Sequence, residues 1–139
     1  MRPIKYRAKI VGSNSFVIGV PHNVYSEPSK EMIWFDSIQY LDANGKPDIE
    51  YIDSDTIQEF TGFTDKNGED IYEGDILSDK VEVDGKIINS KQTVFWNEPT
   101  GSWHLDSSYN QDQTFSRELW RELNDFEYEV AGNILGIPI

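Results

Sequence analysis

The sequence contains no cysteine and only two histidines among 139 residues. Without cysteine, neither a disulfide nor a thiolate metal site can stabilise the fold. The two histidines, His22 and His104, belong to no pattern typical of a catalytic triad. A nucleotide-binding P-loop is excluded as well, because the sequence has no Gly-Lys-Ser or Gly-Lys-Thr. We therefore expect no catalytic residues, no cofactor and no bound metal.

Long apolar runs and positive charge are also scarce. No apolar run approaches the roughly 18 residues that a membrane span needs, and the basic N-terminus lacks the apolar stretch of a signal peptide. Lys and Arg number 12 against 25 Asp and Glu, which gives a formal net charge of -13. Such a surface repels nucleic-acid phosphates and anionic lipids. We expect a cytoplasmic protein that binds neither nucleic acid nor a membrane directly.

Aromatic residues, by contrast, are abundant, with 4 Trp, 7 Tyr and 7 Phe. This content is too high for a disordered acidic tail, so the negative charge must decorate a folded core. The length of the chain predicts a single domain over residues 1–139. The charge is concentrated in residues 42–75, where eleven acidic residues and two lysines give a local net charge of -9. Solvated sheet faces and loops explain such a concentration most simply.

Alternation of apolar and polar residues predicts six to eight strands. The first strand carries Lys5, Arg7 and Lys9 on its polar face. Two roles are open for this basic strip: it guards a sheet edge against unwanted pairing, or it docks against acidic surface on another copy. A second strand is predicted over residues 32–40, and others follow over residues 57–63, 81–83 with 86–88, and 126–130.

Turn sequences separate these strands. Residues 42–45 (Asp-Ala-Asn-Gly), 65–68 (Asp-Lys-Asn-Gly) and 99–101 (Pro-Thr-Gly) each combine residue types that favour turns. Asp84-Gly85 between two strands is the strongest short-range signal for a hairpin, because this pair suits a type I′ turn. Residues 107–113 are polar and predict a loop.

One helix is predicted in the C-terminal third, ending at Asn124-Asp125. Its apolar residues recur at helical spacing, and one of two hydroxyl residues is expected to cap it. We place Trp120 inside, on the apolar face. The fold class predicted is α+β, mostly β. The face consists of Phe115, Leu119, Trp120 and Leu123, and the cap is Thr114 or Ser116.

The most informative stretch is residues 61–76, Thr-Gly-Phe-Thr-Asp-Lys-Asn-Gly-Glu-Asp-Ile-Tyr-Glu-Gly-Asp-Ile. Three glycines punctuate two strand-like pieces, and glycine marks positions where the backbone turns with φ > 0 or passes close to a neighbour. The stretch therefore predicts a structural corner. A calcium loop of the EF-hand type has glycine at its sixth position, whereas Gly68 is at the fourth position when Asp65 is counted as the first. The carboxylates of this stretch therefore do not match such a loop. Asp65 and Asn67 are expected to form an Asx turn, and Asp75 to accept hydrogen bonds from backbone N–H groups near Gly74.

This stretch, the opening Met-Arg-Pro-Ile-Lys-Tyr-Arg-Ala and the closing Tyr-Glu-Val-Ala-Gly-Asn-Ile over residues 128–134 resemble the YopX family of phage and prophage proteins. The resemblance implies a coiled antiparallel sheet with a small barrel-like (SH3-like) portion after Gly74-Asp75, and an ability to self-associate. It implies no activity and no catalytic residue. The motif positions transfer as structural positions only: Thr61, Gly62, Asp65, Asn67, Gly68, Ile71, Tyr72, Glu73, Gly74, Asp75, Gly132 and Asn133.

Two further sets of side chains could have a functional role. His104 lies between Trp103 and Leu105, and we expect it to face solvent from a strand. Four aromatic residues could form a platform on which bases stack, but such platforms lie beside a positive groove, which this sequence does not offer. We therefore expect them to pack in the core or between subunits. They are Trp96, Trp103, Tyr109 and Trp120.

Three functions remain open. The first is a non-enzymatic binding or assembly module that acts as a homo-oligomer, with a host protein as a further candidate partner. The second is an acidic mimic of nucleic acid that occupies a DNA-binding protein of the host. The third and weakest is a metal-dependent enzyme that uses the carboxylates of residues 65–75.

Overall fold

The computed structural model describes residues 4–22, 35–107 and 116–138. These residues form antiparallel strands, one short α-helix and one 3-10 turn. The predicted class, α+β and mostly β, is confirmed. No helix within the described ranges is long and apolar enough to cross a membrane. The chain divides into two compact units, residues 1–60 with 137–139 and residues 61–136.

The first unit is one antiparallel sheet built from the N-terminal strands and the beginning of a fifth strand. That fifth strand continues into the second unit. The strands are β1 (Tyr6–Lys9), β2 (Phe16–His22), β3 (Ser37–Leu41), β4 (Pro47–Tyr51) and β5 (Gln58–Thr64), with a 3-10 turn at Ser54–Thr56. Their order in the sheet is β4-β3-β2-β1-β5.

The core of this unit lies on one face of the sheet, where Ala8, Val17 and Ile38 are buried. Side chains alternate between the two faces of a strand. Ile18 and Val20 on β2 therefore point to the opposite face, where they are 50% and 49% exposed. Gly19 lies between those two residues, directly against the backbone of β3. A Cβ at this position would come within 2.0 Å of the Gln39 carbonyl oxygen.

The basic strip on β1 differs from both interpretations offered by the sequence. Edge protection is wrong, because β1 lies between β2 and β5 inside the sheet. Arg7 is 3% exposed, donates a hydrogen bond of 3.0 Å to Gln58 and stacks on the Phe16 ring. Lys9 pairs with Asp53 at 2.9 Å. Intramolecular partners therefore use these charges, and the strip is not a free docking surface.

The second unit contains the end of β5, the remaining strands and the helix. These are β6 (Asp70–Tyr72), β7 (Asp75–Val83), β8 (Lys86–Asn97), β9 (Ser102–Ser107), β10 (Arg117–Glu118), α1 (Leu119–Asp125) and β11 (Glu129–Asn133). A five-stranded sheet has the order β10-β9-β8-β7-β11. Since β10 and β11 do not pair in the described residues, the barrel-like portion is an open sheet there.

The helix is shorter than predicted and turned differently. It begins at Leu119, and its N-cap residue Glu118 makes no side-chain capping bond. Ser116 is not the cap, because Arg117 and Glu118 pair with β9 as a strand. Leu119 and Glu122 point inward, so Trp120, about 100° further round the helix, is 44% exposed. The prediction that Trp120 lies inside is wrong.

The turns predicted from the sequence are present. Asp42 accepts hydrogen bonds from the N–H groups of Asn44 and Lys46 at 2.8 and 2.9 Å. Asp84 and Gly85 both have positive φ, 52° and 77°, as a type I′ hairpin requires. Several predictions fall outside the described residues: the strand over residues 32–34, the loop over residues 108–113, Tyr109, and the helical positions Thr114 and Phe115.

We expect Gly19→Ala to destabilise the first unit by about 1–3 kcal/mol, because the new methyl group must displace the backbone of β3. Chemical denaturation measures this change. Ile18→Ala, at the neighbouring half-exposed position, is the matched control and should cost less. Equal costs for the two variants would contradict the close approach at Gly19.

Candidate functional site

The three glycines of the motif adopt the backbone conformation that their spacing predicts. Gly62, Gly68 and Gly74 have φ of 90°, 81° and 81°, values that side chains with a Cβ rarely adopt. Gly68 completes the turn between β5 and β6, and Gly74 completes the turn between β6 and β7. The motif is therefore a backbone corner, formed by two tight turns around a three-residue strand.

Asp65 holds this corner together. Its Oδ1 accepts hydrogen bonds from the N–H groups of Asn67 and Glu69 at 2.8 and 2.9 Å. Its Oδ2 accepts a third, of 2.9 Å, from the N–H of Val130 on β11. The predicted Asx turn is present, and the same carboxylate also binds a strand 65 residues further along the chain. The side chain is 7% exposed, so water does not compete strongly for these bonds.

The second turn of the corner uses Asp75 in a similar way. This residue is fully buried, and its Oδ2 accepts a hydrogen bond of 2.8 Å from the N–H of Tyr72. Gly74 donates to the carbonyl of Val94 on β8 and accepts from Ile134 after β11, both at 2.9 Å. The turn is thereby hydrogen-bonded to the chain on either side of β7.

The remaining motif residues complete the same framework. Thr61 donates from Oγ1 to the carbonyl of Ile71 at 2.7 Å. Ile71 and Tyr72 are buried, while Glu73 is half-buried. Gly132 lies at the register shift between β11 and β7. The Oδ1 of Asn133 accepts a hydrogen bond of 3.1 Å from the N–H of Leu135.

The carboxylates of the motif do not gather around a common point. Among residues 4–22, 35–107 and 116–138, no three Asp, Glu or His side chains lie close enough to hold a metal ion. Asp65 and Asp75 bind backbone N–H groups in two separate turns. These two carboxylates therefore serve to orient the backbone of the turns.

A cavity of about 450 Å³ opens between α1 and β9 in the second unit. Its lining is charged and polar apart from Phe126, and four of these residues are buried or half-buried: His104, Ser116, Glu118 and Glu122. Two arginines and three acidic residues contribute to it, so no single sign of charge dominates. The cavity is lined by His104, Ser116, Arg117, Glu118, Arg121, Glu122, Asp125 and Phe126.

The prediction that His104 faces solvent is wrong. The residue is 6% exposed, and its Nδ1 lies 2.8 Å from the hydroxyl of Ser116. Its Nε2 lies 3.1 Å from the hydroxyls of both Thr100 and Ser102. Strand β9 lies between β8 and β10, and both of its faces are covered at this point. Period-two alternation assumes one solvent face and therefore misses such a residue.

Beside the cavity, four polar side chains form a closed network. The Nε2 of Gln92 donates to the hydroxyl of Tyr128 at 3.0 Å, and its Oε1 accepts from Arg117 at 2.8 Å. Arg117 forms an ion pair with Glu122, which also accepts a long bond of 3.4 Å from Tyr128. Burial, followed by the negative charge of Glu122, raises the pKa of Tyr128 to about 12.

Of the aromatic residues considered as a stacking platform, the structure describes Trp96, Trp103 and Trp120. Trp96 and Trp103 pack edge to face with ring centroids 5.1 Å apart, and Trp103 is buried at 6% exposure. Trp120 lies on α1, where Arg121 stacks on its ring. Trp103 belongs to the core with Leu77, Val94 and Leu105. The expectation of core packing thus holds for Trp103.

The last feature is a projecting hairpin. Strand β7 pairs with β11 only as far as Ser78, and β8 pairs with β9 only from Gln92 onward. Between them, residues 79–90 pair only with each other in the described chain, and Lys91 pairs with Ser78 at the base of the hairpin. All residues from 82 to 89 are exposed. We call residues 79–91 the β-arm.

The family of the chain follows from its sequence as a whole. The model of the YopX protein family matches residues 5–138, nearly the full length. The chain belongs to the YopX family. No curated protein matches it. In this YopX chain the matched stretch includes both the glycine corner and the β-arm, so both are parts of the family domain.

For the YopX corner, we expect Asp65→Asn to lower the free energy of unfolding by about 1–3 kcal/mol. The amide keeps one acceptor oxygen, but it loses its charge and must place an NH₂ group against one of three N–H donors. Urea denaturation measures the loss. Asp55→Asn, at an exposed position, is the control. A loss no larger than that of the control would contradict the role of Asp65.

Tyr128 should make stability depend on high pH. Its pKa in the folded state, about 12, exceeds the ordinary value of 10.0, so the folded protein holds this proton more tightly than the unfolded chain does. The resulting stabilisation is complete below about pH 10 and is lost as the pH rises to about 12. It amounts to about 1–3 kcal/mol.

The test compares Tyr128→Phe with the wild type in urea denaturation at several pH values from 8 to about 12. The variant should show a shallower loss of stability above pH 10 than the wild type. Tyr51→Phe, at a position that is 41% exposed, serves as the control and should follow the wild-type slope. Identical slopes for all three proteins would contradict the raised pKa of Tyr128.

Proposed function

We propose that this YopX-family chain is a non-enzymatic binding and assembly module, of phage or prophage origin, that works as a homo-oligomer in the cytoplasm of its bacterial host. The observation that carries the proposal is the β-arm. It extends beyond the sheet that supports its base, and it exposes both of its edges and the apolar side chains of Val83, Ile87 and Ile88. A ribbon of this kind becomes stable when further surface packs against it.

The apolar side chains of the β-arm support association. Ile87 is 70% exposed, Ile88 is 53% exposed and Val83 is 45% exposed. Ile87 points to the opposite face from Val83 and Ile88, as their cross-strand pairs require, so the ribbon is apolar on both faces. Burying one such side chain completely is worth about 1.5–3 kcal/mol. Association would thus recover a substantial free energy that the isolated chain forgoes.

The polar cluster near His104 supports a structural role for the second unit. Glu122 is paired with Arg117, while Gln92 and Tyr128 bind each other. Gln92, Glu122 and Tyr128 are buried, and buried polar groups that satisfy one another add rigidity and specify a single packing. This use of its charged groups favours an assembly module over an enzyme.

The acidic-mimic alternative is not favoured by a specific observation. Several carboxylates of residues 42–75 are used inside the protein: Asp42 and Asp65 close turns, Asp53 pairs with Lys9, and Asp75 holds a backbone N–H. A mimic of phosphates needs its charges at the surface. A substantial part of the acidity therefore has a structural explanation.

The proposal predicts that the oligomer depends on the β-arm. Residues 80–89 can be replaced by Asn-Gly, since Asp79 and Ser90 are directly paired and a two-residue type I′ turn would close the shortened hairpin in register. We expect an oligomeric wild type and a monomeric shortened variant in sedimentation velocity and light scattering. A wild type that is monomeric at every concentration would contradict the proposal.

A matched pair of point variants tests whether burial of apolar surface drives this association. Ile88→Ser lies on the β-arm and Ile18→Ser lies on β2, and the two positions are 53% and 50% exposed. The first variant should weaken the oligomer by about tenfold or more, as expected for the loss of a buried isoleucine. The second should leave it unchanged. Circular dichroism verifies that both variants are folded.

A further inference from the structure

We propose that two copies of the chain pair edge to edge through β7 of the β-arm, antiparallel, with Val81 opposite Val81 of the second copy. This inference rests on the proposed function, which it deepens by naming the interface and its register. The partner is a second copy because the edge is complementary to itself in charge and in hydrogen bonding.

The turn of the hairpin determines which backbone groups on β7 point outward. Val83 and Lys86 flank the two-residue turn and are directly paired, so they form a hydrogen-bonded pair with their N–H and C=O groups facing each other. Such pairs alternate along an antiparallel ladder. The inward groups on β7 therefore belong to Val83, Val81 and Asp79, and the outward groups belong to Glu82 and Lys80.

The outward groups have no strand beside them in the part of the chain that the structure describes. The pairing of β11 with β7 ends at Ser78, just before the β-arm begins. Both Lys80 and Glu82 are exposed. The edge thus offers two donors and two acceptors at alternate residues, the arrangement to which another antiparallel strand adds.

Backbone geometry leaves only three twofold registers for two such edges. The outward residues must meet each other, so the symmetric pairing is centred on Lys80, on Val81 or on Glu82. A centre on Lys80 places two lysines together, and a centre on Glu82 places two glutamates together. Like charges directly opposite each other are unfavourable. A centre on Val81 instead places each Lys80 opposite Glu82 of the second copy.

The other edge of the β-arm, on β8, does not select one pairing register in this way. Strand β8 carries Lys86 and Lys91 along the arm and no acidic residue between them. Its symmetric pairings would gain no opposite-charge pair, and lysines on an edge discourage pairing. The two edges of one hairpin are therefore unlike: β7 is self-complementary, and β8 is protected.

Charge reversal tests the register directly. Lys80→Glu alone should place glutamates opposite each other, and Glu82→Lys alone should place lysines opposite each other, twice in each dimer. Each single variant should weaken the dimer about tenfold or more by sedimentation velocity. The double variant Lys80→Glu plus Glu82→Lys restores opposite charges and should restore the wild-type dissociation constant. Folding should be preserved, because their partners within the arm, Asn89 and Ile87, are uncharged.

Lys86→Glu is the control, since it changes the net charge by the same amount on the other strand of the β-arm. It should leave the dimer unchanged, whereas loss of association in this control would show a general effect of charge and overturn the register. An oligomeric wild type with unaffected single variants, or a double variant that is not rescued, would also overturn it while leaving the assembly proposal intact. A wild type that is monomeric throughout would overturn both.

Discussion

The second unit depends on one buried carboxylate. Asp65 binds two N–H groups of its own turn and one N–H of β11, and so it fixes a local turn and a distant strand with the same side chain. A charged acceptor makes stronger hydrogen bonds than a neutral one, particularly where water is excluded. Since β11 is also the neighbour of β7, this contact sets the position of the strand from which the β-arm extends.

The same contact changes how the negative charge of the protein is understood. A net charge of -13 suggests a surface field, yet Asp65 and Asp75 are 7% and 0% exposed. These residues lie in turns whose glycines adopt positive φ, where backbone N–H groups converge and need an acceptor. Asp is suited to this task because its short side chain reaches N–H groups two to four residues along the chain. Part of the acidity therefore serves the fold itself.

The sequence predicts local geometry well and burial less well. The Asx turn at Asp65 and the hairpin turn at Asp84 depend on neighbouring residues alone, so both can be predicted from the sequence. The predicted exposure is wrong for Arg7, His104 and Trp120, because exposure depends on which strands and helices pack around a residue. A strand inside a sheet buries polar residues where a partner such as Gln58 exists. On α1 the buried residues are Leu119 and Glu122, because the elements that pack against a helix decide which of its sides is buried.

The β-arm shows how the corner and the assembly proposal are related. A hairpin that extends beyond its sheet has no neighbouring strands to hold its direction, so its base must be held firmly. The base of β7 is held by β8, by β11 and by the turn at Gly74. Its edge can then present Lys80 and Glu82 in a constant orientation, which two short charged strands need for pairing in one register. A flexible hairpin would lose this selectivity, because shifted registers would differ little in free energy. In the proposed dimer, a corner fixed in this way would make the five-residue edge of β7 specific for a single register.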